Sequence, residues 1–423
     1  MNRVALNLCA LLLAAPLSAG WTQWGGPGRD FSVPDSGLAE RWPSDGPREL
    51  WRQPLNDGYS GMALGQDLLI TLHRDDDRDA VVAFDATNGE TLWTHAWQSP
   101  AKSFMDLEFG PGPHSTPLIV GERVFAIGRG GRLVALDRST GRHLWSRELW
   151  EDLEGTRLER GYAASAIAFG DLVIVPVGGA ERALVAFRQA TGTIAWSRHD
   201  HGAAYASPVL ADVDGEIQLV ALLDKVILGL DPETGDSRWS FPLSDHRYVN
   251  VASPMYSSDG LLFLVSSEGG RVLRLERDGD SVVPRELWVG KAIGSQVGNA
   301  IRFGDHLYGT RGASASTYLT GVNIETGEIA WRDRTVGDCT LVRVGDRALV
   351  LESDGHLHLA RLSAEGLELL ASAKVLDGRS WTAPALVGTR LYLRNRTEIV
   401  ALDLAPEIES PPSPPAIEME YPK

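Results

Sequence analysis

Cysteine is almost absent from this chain. Of 423 residues only Cys9 and Cys339 are cysteines, and Cys9 lies in an N-terminal apolar run that reads as a removable leader. The single thiol left excludes an intramolecular disulfide, a paired-cysteine zinc site and a Cys-x-x-Cys-His haem attachment. Stability has to come from packing. A Gly-rich phosphate loop, His-Glu-x-x-His and the Gly-x-Ser-x-Gly nucleophile elbow are also missing. No block of five or six like charges occurs, yet 56 acidic against 40 basic residues give a formal charge of -16. A field of that sign opposes phosphate backbones and anionic lipid heads, so nucleic acid is not an expected partner.

Long apolar runs are confined to the start. Arg3 precedes Val4 to Leu17, which is nearly all apolar but short for a bilayer span. Ser18, Ala19 and Gly20 follow. Residues 1–20 are therefore expected to be a secretory signal. Export to the periplasm or beyond follows, with no transmembrane segment once the signal is removed. A lipoprotein would carry a cysteine where Gly20 and Trp21 stand. At the other end, Glu-Ser-Pro-Pro-Ser-Pro-Pro from 409 to 415 cannot pack as a strand, so 405–423 is expected to be an extended, disordered tail.

Between these ends one phrase recurs. It reads Asp85-Ala-Thr-Asn-Gly89-Glu-Thr-Leu-Trp93, then Asp137-Arg-Ser-Thr-Gly141-Arg-His-Leu-Trp145. It returns as Ala190-Thr-Gly192 running to Trp196, Asp231-Pro-Glu-Thr-Gly235 running to Trp239, and Asn323-Ile-Glu-Thr-Gly327 running to Trp331. Weaker copies are Asp278-Gly279 to Trp288 and Ala364-Glu-Gly366 to Leu370. From Trp51 to Trp331 the tryptophans are 42, 52, 51, 43, 49 and 43 residues apart. Such a period marks a supersecondary unit that buries its faces only against its neighbours.

Each copy reads as a hairpin between β-rich runs. Asp caps the turn, Gly supplies the left-handed conformation, and Trp wedges between neighbouring units. Two earlier strands complete each unit, led in by small residues as in Ala206-Ser-Pro-Val209 and Thr382-Ala-Pro-Ala385. Four strands per unit at this spacing make a propeller blade. Eight innermost strands begin near Tyr59, His114, Tyr162, Tyr205, Val251, Gln296, Asp338 and Trp381. The last unit stops at Asp403 without its Trp strand, and Trp51 is a Trp strand without a unit. The predicted fold is all-β. It is an eight-bladed β-propeller of four-stranded antiparallel blades over 21–404, closed by an N-terminal outer strand near Glu49 to Leu55.

The Asp-x-x-Thr-Gly-x-x-x-Trp repeat resembles that of the pyrroloquinoline-quinone (PQQ)-repeat propellers. These include the quinoprotein alcohol dehydrogenases and the outer-membrane protein assembly propeller. Trp24-Gly-Gly-Pro-Gly-Arg-Asp30 is similar to the opening of many exported bacterial members. The enzymes of this group imply a quinone over a calcium ion at the channel mouth, an aspartate base and adjacent cysteines. Here no adjacent cysteines occur, and no residue matches the calcium ligands or the base. The assembly propeller implies a lipidated cysteine, also missing. The expected function is a non-catalytic binding or assembly scaffold in the cell envelope, with a protein or peptide partner and a monomeric state. The alternative is a dehydrogenase of alcohols or sugars that uses pyrroloquinoline quinone with calcium.

Three groups of residues are candidates for a site. Asp75 to Asp79 reads as a solvated hairpin tip, and Asp212-Val-Asp214-Gly215-Glu216 as a plain turn in preference to a calcium loop. The long connections 96–113 and 147–161 break the period and carry aromatic and acidic residues. Phe104 and Trp150 are the expected anchors, with the acids favouring a basic partner. The third group is the ring that leads into the inner strands, of which Tyr59, His114, Tyr162, Tyr205 and Trp381 are aromatic or His. It suits stacking a planar group or gripping a peptide, unless these side chains pack between the blades as core. A metal site is not expected there, because His114 has no second His at its level.

Overall fold

The repeat's residue types act as their chemistry requires. In a computed structural model that describes residues 20–243, 252–266, 269–279, 281–294, 298–311 and 317–406, Asp85 Oδ1 accepts from the backbone N–H and hydroxyl of Thr87, and Gly89 N–H donates to Asp85 O. Asp137, Asp231 and Asn323 cap the equivalent turns. These contacts pull the Asp85 and Asp137 carboxyls below their ordinary value, with hydroxyl donors as the leading cause. Gly89 and Gly141 have φ of 76° and 69°. They also touch the preceding blade, since a Cβ at Gly141 would lie 2.5 Å from the Trp93 ring. Glycine is required twice over at these positions, by its conformation and by that contact.

The tryptophans bind one blade to the next. Trp93 Nε1 donates to Arg138 O at 2.9 Å, Trp145 to Gln189 O at 3.0 Å and Trp288 to Ile324 O at 2.8 Å. Each acceptor directly follows the first residue of the next blade's turn. Trp239 departs from the pattern and donates to Gln218 of its own blade.

Eight four-stranded antiparallel units result, seven of them built from consecutive strands. Blades 1 to 7 span 63–98, 118–148, 167–198, 209–242, 255–290, 300–333 and 339–374. Blade 8 joins the strands Ala385–Val387, Arg390–Arg394 and Glu398–Asp403 to Arg48–Pro54, with Trp51 opposite Ala401. The N-terminal strand thus closes the ring, as the orphan Trp51 predicts. Apolar clusters fill the spaces between adjacent blades, where side chains such as Leu133, Val173 and Phe187 are fully buried. At the closing seam lies the fully buried Arg394, which donates to the carbonyls of Gly58, Ser60 and Leu72 and to Thr71 Oγ1. Among the described residues no helix is long and apolar enough to cross a membrane.

Residues 20–39 have no place in the repeat, and they cross one end of the central channel. Trp21 O and Thr22 O accept from Leu64 N–H and Ile119 N–H of blades 1 and 2. Ser32–Val33 then adds a parallel strand to the inner edge of blade 7, and Leu404 O of blade 8 accepts from Ala39 N–H. Trp21, Phe31 and Leu38 are buried by this path.

Candidate functional site

Hydroxyls on the lead-ins to the inner strands tie blades 2 to 5 together around the axis. Thr116 N–H donates to Ser165 Oγ, Ser165 N–H to Ser207 Oγ and Ser207 N–H to Ser253 Oγ, at 2.9, 2.8 and 3.0 Å. Trp24 Nε1 of the crossing segment donates to the same Ser253 hydroxyl. Along these lead-ins the belt fixes which side chain faces the axis.

Above the belt is a cavity of about 580 Å³. Its floor is Trp24, Arg29, Asp30 and Phe31 of the crossing segment, so the channel is blind at that end. Its walls include Tyr59, His114, Tyr205, Asp338 and Trp381, together with Phe109. Four of these rings form a continuous aromatic wall. Tyr59 stacks on His114 with centroids 5.9 Å apart and planes 6° apart, and on Trp381 at 5.3 Å. Phe109 meets Trp381 edge-on at 5.2 Å. Arg379 lies 4.4 Å from the Trp381 centroid, and Arg160 lies 4.5 Å from that of Phe109.

Three expected ring and anchor residues lie elsewhere. Tyr162 is 1% exposed, donates to Pro176 O and packs on Trp150; its neighbour Ala163 faces the cavity. The belt explains the offset. His114 and Tyr205 stand two residues before their belt residues Thr116 and Ser207, and two before Ser165 is Ala163. Trp150 is 4% exposed and offers no surface to a ligand. Phe104 is half-buried against Trp150, with Arg157 over its ring, and does not line the cavity. Phe109, a member of the same loop, does. Val251 and Gln296 lie outside the described residues.

The acids of the long loops are largely occupied. Asp106 and Glu108 face Arg160 at 3.4 and 3.5 Å, and Glu151 holds Lys102 at 2.6 Å. Asp106 N–H donates to Glu159 O, joining the two loops. Part of the acidic charge expected to favour a basic partner is thus paired across the two loops. Asp79 is likewise not solvated. It is fully buried against Arg74 at 3.1 Å and accepts from Ser99 Oγ, although desolvation still raises its carboxyl above the usual range. Asp212 to Glu216 is the plain hairpin expected, with Gly215 N–H donating to Asp212 Oδ1.

Burial, aided by Arg129, depresses the His114 imidazole to about 4. Its ring is neutral near pH 7 and acts as part of the wall. Asp338 is raised by desolvation and accepts from Ser353 Oγ at 2.9 Å.

The quinone with its calcium, implied by the resemblance, can be tested against these residues. Among the described residues no three carboxylate, imidazole or thiolate side chains gather to hold a metal ion. Trp381, Tyr59 and His114 stack directly on one another, so they leave no slot for a ring between them. The described residues do not fit that cofactor.

Comparison with known proteins is consistent with the architecture. The chain is 25% identical over 306 residues to the outer membrane protein assembly factor BamB of Yersinia pestis, covering 64% of this chain and 69% of that one. The crystal structure of BamB from Moraxella catarrhalis superposes with a TM-score of 0.60 at 19% identity, over 84% of this chain and 99% of that one. The quinohemoprotein alcohol dehydrogenase of Comamonas testosteroni gives 0.69 at 13% identity, over 93% and 82%. These two superpositions speak for the fold alone. The family is decided by the sequence match over residues 43–181 and 77–333: the chain belongs to the family described as outer membrane protein assembly factor BamB.

Proposed function

We propose that this propeller is a non-catalytic scaffold of the cell envelope that grips a polypeptide partner at the mouth of its channel. The carrying observation is the blind cavity with a continuous aromatic wall of Phe109, Trp381, Tyr59 and His114. Aromatic rings with arginines beside them supply much of the contact energy in recognition sites. Leu107, 44% exposed on the same loop as Phe109, extends the apolar rim. The family's description as an assembly factor supports a protein partner, and the apolar leader supports export.

The test uses the full chain in its native host, with a photo-crosslinking amino acid in place of Leu107. A discrete crosslinked protein is expected, and Trp381→Ala with Tyr59→Ala should abolish it while thermal unfolding stays cooperative. An unchanged crosslink pattern in the double variant would refute the reading. Saturable binding of pyrroloquinoline quinone with calcium, followed by dye-linked turnover, would replace it with the dehydrogenase.

A further inference from the structure

The cavity's charges are unevenly compensated. Arg160 has Asp106 and Glu108, and Arg129, which donates to Gly110 O and Asp106 O, feels the carboxylates of Asp79, Asp57 and Asp106. Arg29, in the floor, has no carboxylate among the described residues. It is 4% exposed, and its hydrogen-bond partners are neutral: Gln23 Oε1 and Ala166 O at 3.1 Å, and Ser165 O at a long 3.5 Å. A guanidinium has five N–H donors, and here Nε has no partner. Burial alone lowers the group to about 9. A desolvated cation held only by neutral groups is costly, and the arrival of an anion would relieve that cost.

The cation has an opposite across the ring. Arg29 reaches blade 3 through Ala166 and Ser165, whereas Asp338 leads into blade 7, four blades away in a ring of eight. The aromatic wall of Trp381, Tyr59 and His114 occupies the arc between them, on the lead-ins to blades 8, 1 and 2. The pocket therefore carries opposite charges at two ends, is apolar along the sides between them, with the aromatic wall on one and Met255, Phe263 and Val265 on the other, and is closed at its floor. A continuous polypeptide cannot thread it. A chain terminus can enter, with its carboxylate toward blade 3 and its last side chains along the rings. Asp338 then accepts from peptide N–H groups farther up the chain.

On this basis, and resting on the binding role proposed above, we infer that the channel pocket captures the carboxy-terminal end of a polypeptide, with Arg29 as its carboxylate partner. The exposed Arg379 at the rim, stacked on Trp381, adds positive potential along the entrance.

The test is fluorescence polarisation with purified protein and three fluorescein-labelled hexapeptides. The first ends in Leu-Tyr with a free carboxylate, the second is its C-terminal amide, and the third is the amide with an internal glutamate. The free acid is expected to bind at least ~10-fold more tightly than either amide, the size of one charge-assisted contact. Arg29→Gln should remove that preference and Arg29→Lys should keep part of it, with circular dichroism confirming the fold. Equal binding of acid and amide overturns the inference, as does a glutamate-bearing amide that matches the acid. If Trp381→Ala weakens all three peptides alike while no acid preference exists, the grip at the mouth stands and the chain-end inference fails. If no peptide binds although the Leu107 crosslink depends on Trp381, the chain-end inference again fails by itself. If the crosslink is independent of Trp381, both fail.

Discussion

Replacing Trp51 by alanine tests whether the N-terminal strand closes the ring energetically as well as topologically. Trp51 is 7% exposed and packs between Phe84 of blade 1 and Tyr392 of blade 8, with centroids 6.2 and 6.0 Å away. Its Nε1 donates to Ala86 O at 3.0 Å, and Tyr392 Oη donates to the same carbonyl at 3.0 Å. Truncating a buried tryptophan costs about 3–5 kcal/mol. The lost hydrogen bond adds little, because Ala86 O keeps its second donor and is not left bare. We expect ~4 kcal/mol. Unfolding entropy near 2.1 cal/mol/K per residue, over roughly 385 residues, converts this to a drop in Tm of ~5 °C. Urea titration and calorimetry of wild type, Trp51→Ala and Trp145→Ala would measure it. Trp145 makes the equivalent bond to Gln189 O within the continuous chain, so it should cost a similar amount. Only Trp51→Ala should also release the segment before residue 55 to limited proteolysis. A loss below ~1 kcal/mol, or identical protease patterns for the two variants, would refute the seam argument.

Three further outcomes follow from the same geometry. Arg394→Met leaves the carbonyls of Gly58, Ser60 and Leu72 short of their buried donor, so a loss of at least ~3 kcal/mol is expected in urea unfolding; a neutral result would mean that the seam relaxes around the change. His73 and His114 are both lowered to about 4 by burial, helped by Arg394 and Arg129 respectively. The unfolded chain therefore binds more protons between pH 6.5 and 4, so the stability present above 6.5 is lost as pH falls through that window, by up to ~3 kcal/mol per imidazole. Stability curves at pH 7, 6, 5 and 4 should flatten in His114→Gln, and an unchanged slope would contradict it. Trp150→Ala should destabilise by ~3 kcal/mol or more, being core, whereas the half-buried Trp381→Ala should mainly affect binding; calorimetry alongside the peptide assay separates the two.

What was legible in the sequence was whatever is encoded within one blade. Asp, Gly and Trp carry their meaning in a nine-residue phrase, and the orphan Trp51 announced closure because a repeat with a missing strand needs one. The crossing segment 20–39 was not legible as a floor. It has no periodicity, and its place is set by contacts such as Arg29 to Ala166 and Trp24 to Ser253, far apart in the chain. Charge pairing between the two long loops was hidden for the same reason, since Arg160 finds Asp106 and Glu108 only after both loops fold over the mouth.

The choice of Tyr162 over Ala163 is a different kind of failure, because the deciding signal was in the sequence. An inner strand alternates its faces, so a shift of one residue exchanges a channel side chain for one between blades. Tyr162 attracts attention as an aromatic beside Tyr59 and Tyr205, but aromatic character does not set register. At blades 3 and 4 a serine two places after the channel position does, because its oxygen accepts from the preceding blade's backbone N–H. Counting back from Ser165 and Ser207 gives Ala163 and Tyr205. The ring is therefore interrupted by a small residue at blade 3, the blade whose inner strand Arg29 reaches from the floor. A tyrosine at position 163 would put a bulky ring on the wall beside that cation. Ala163 leaves this side of the pocket open, where the inferred carboxylate has to approach.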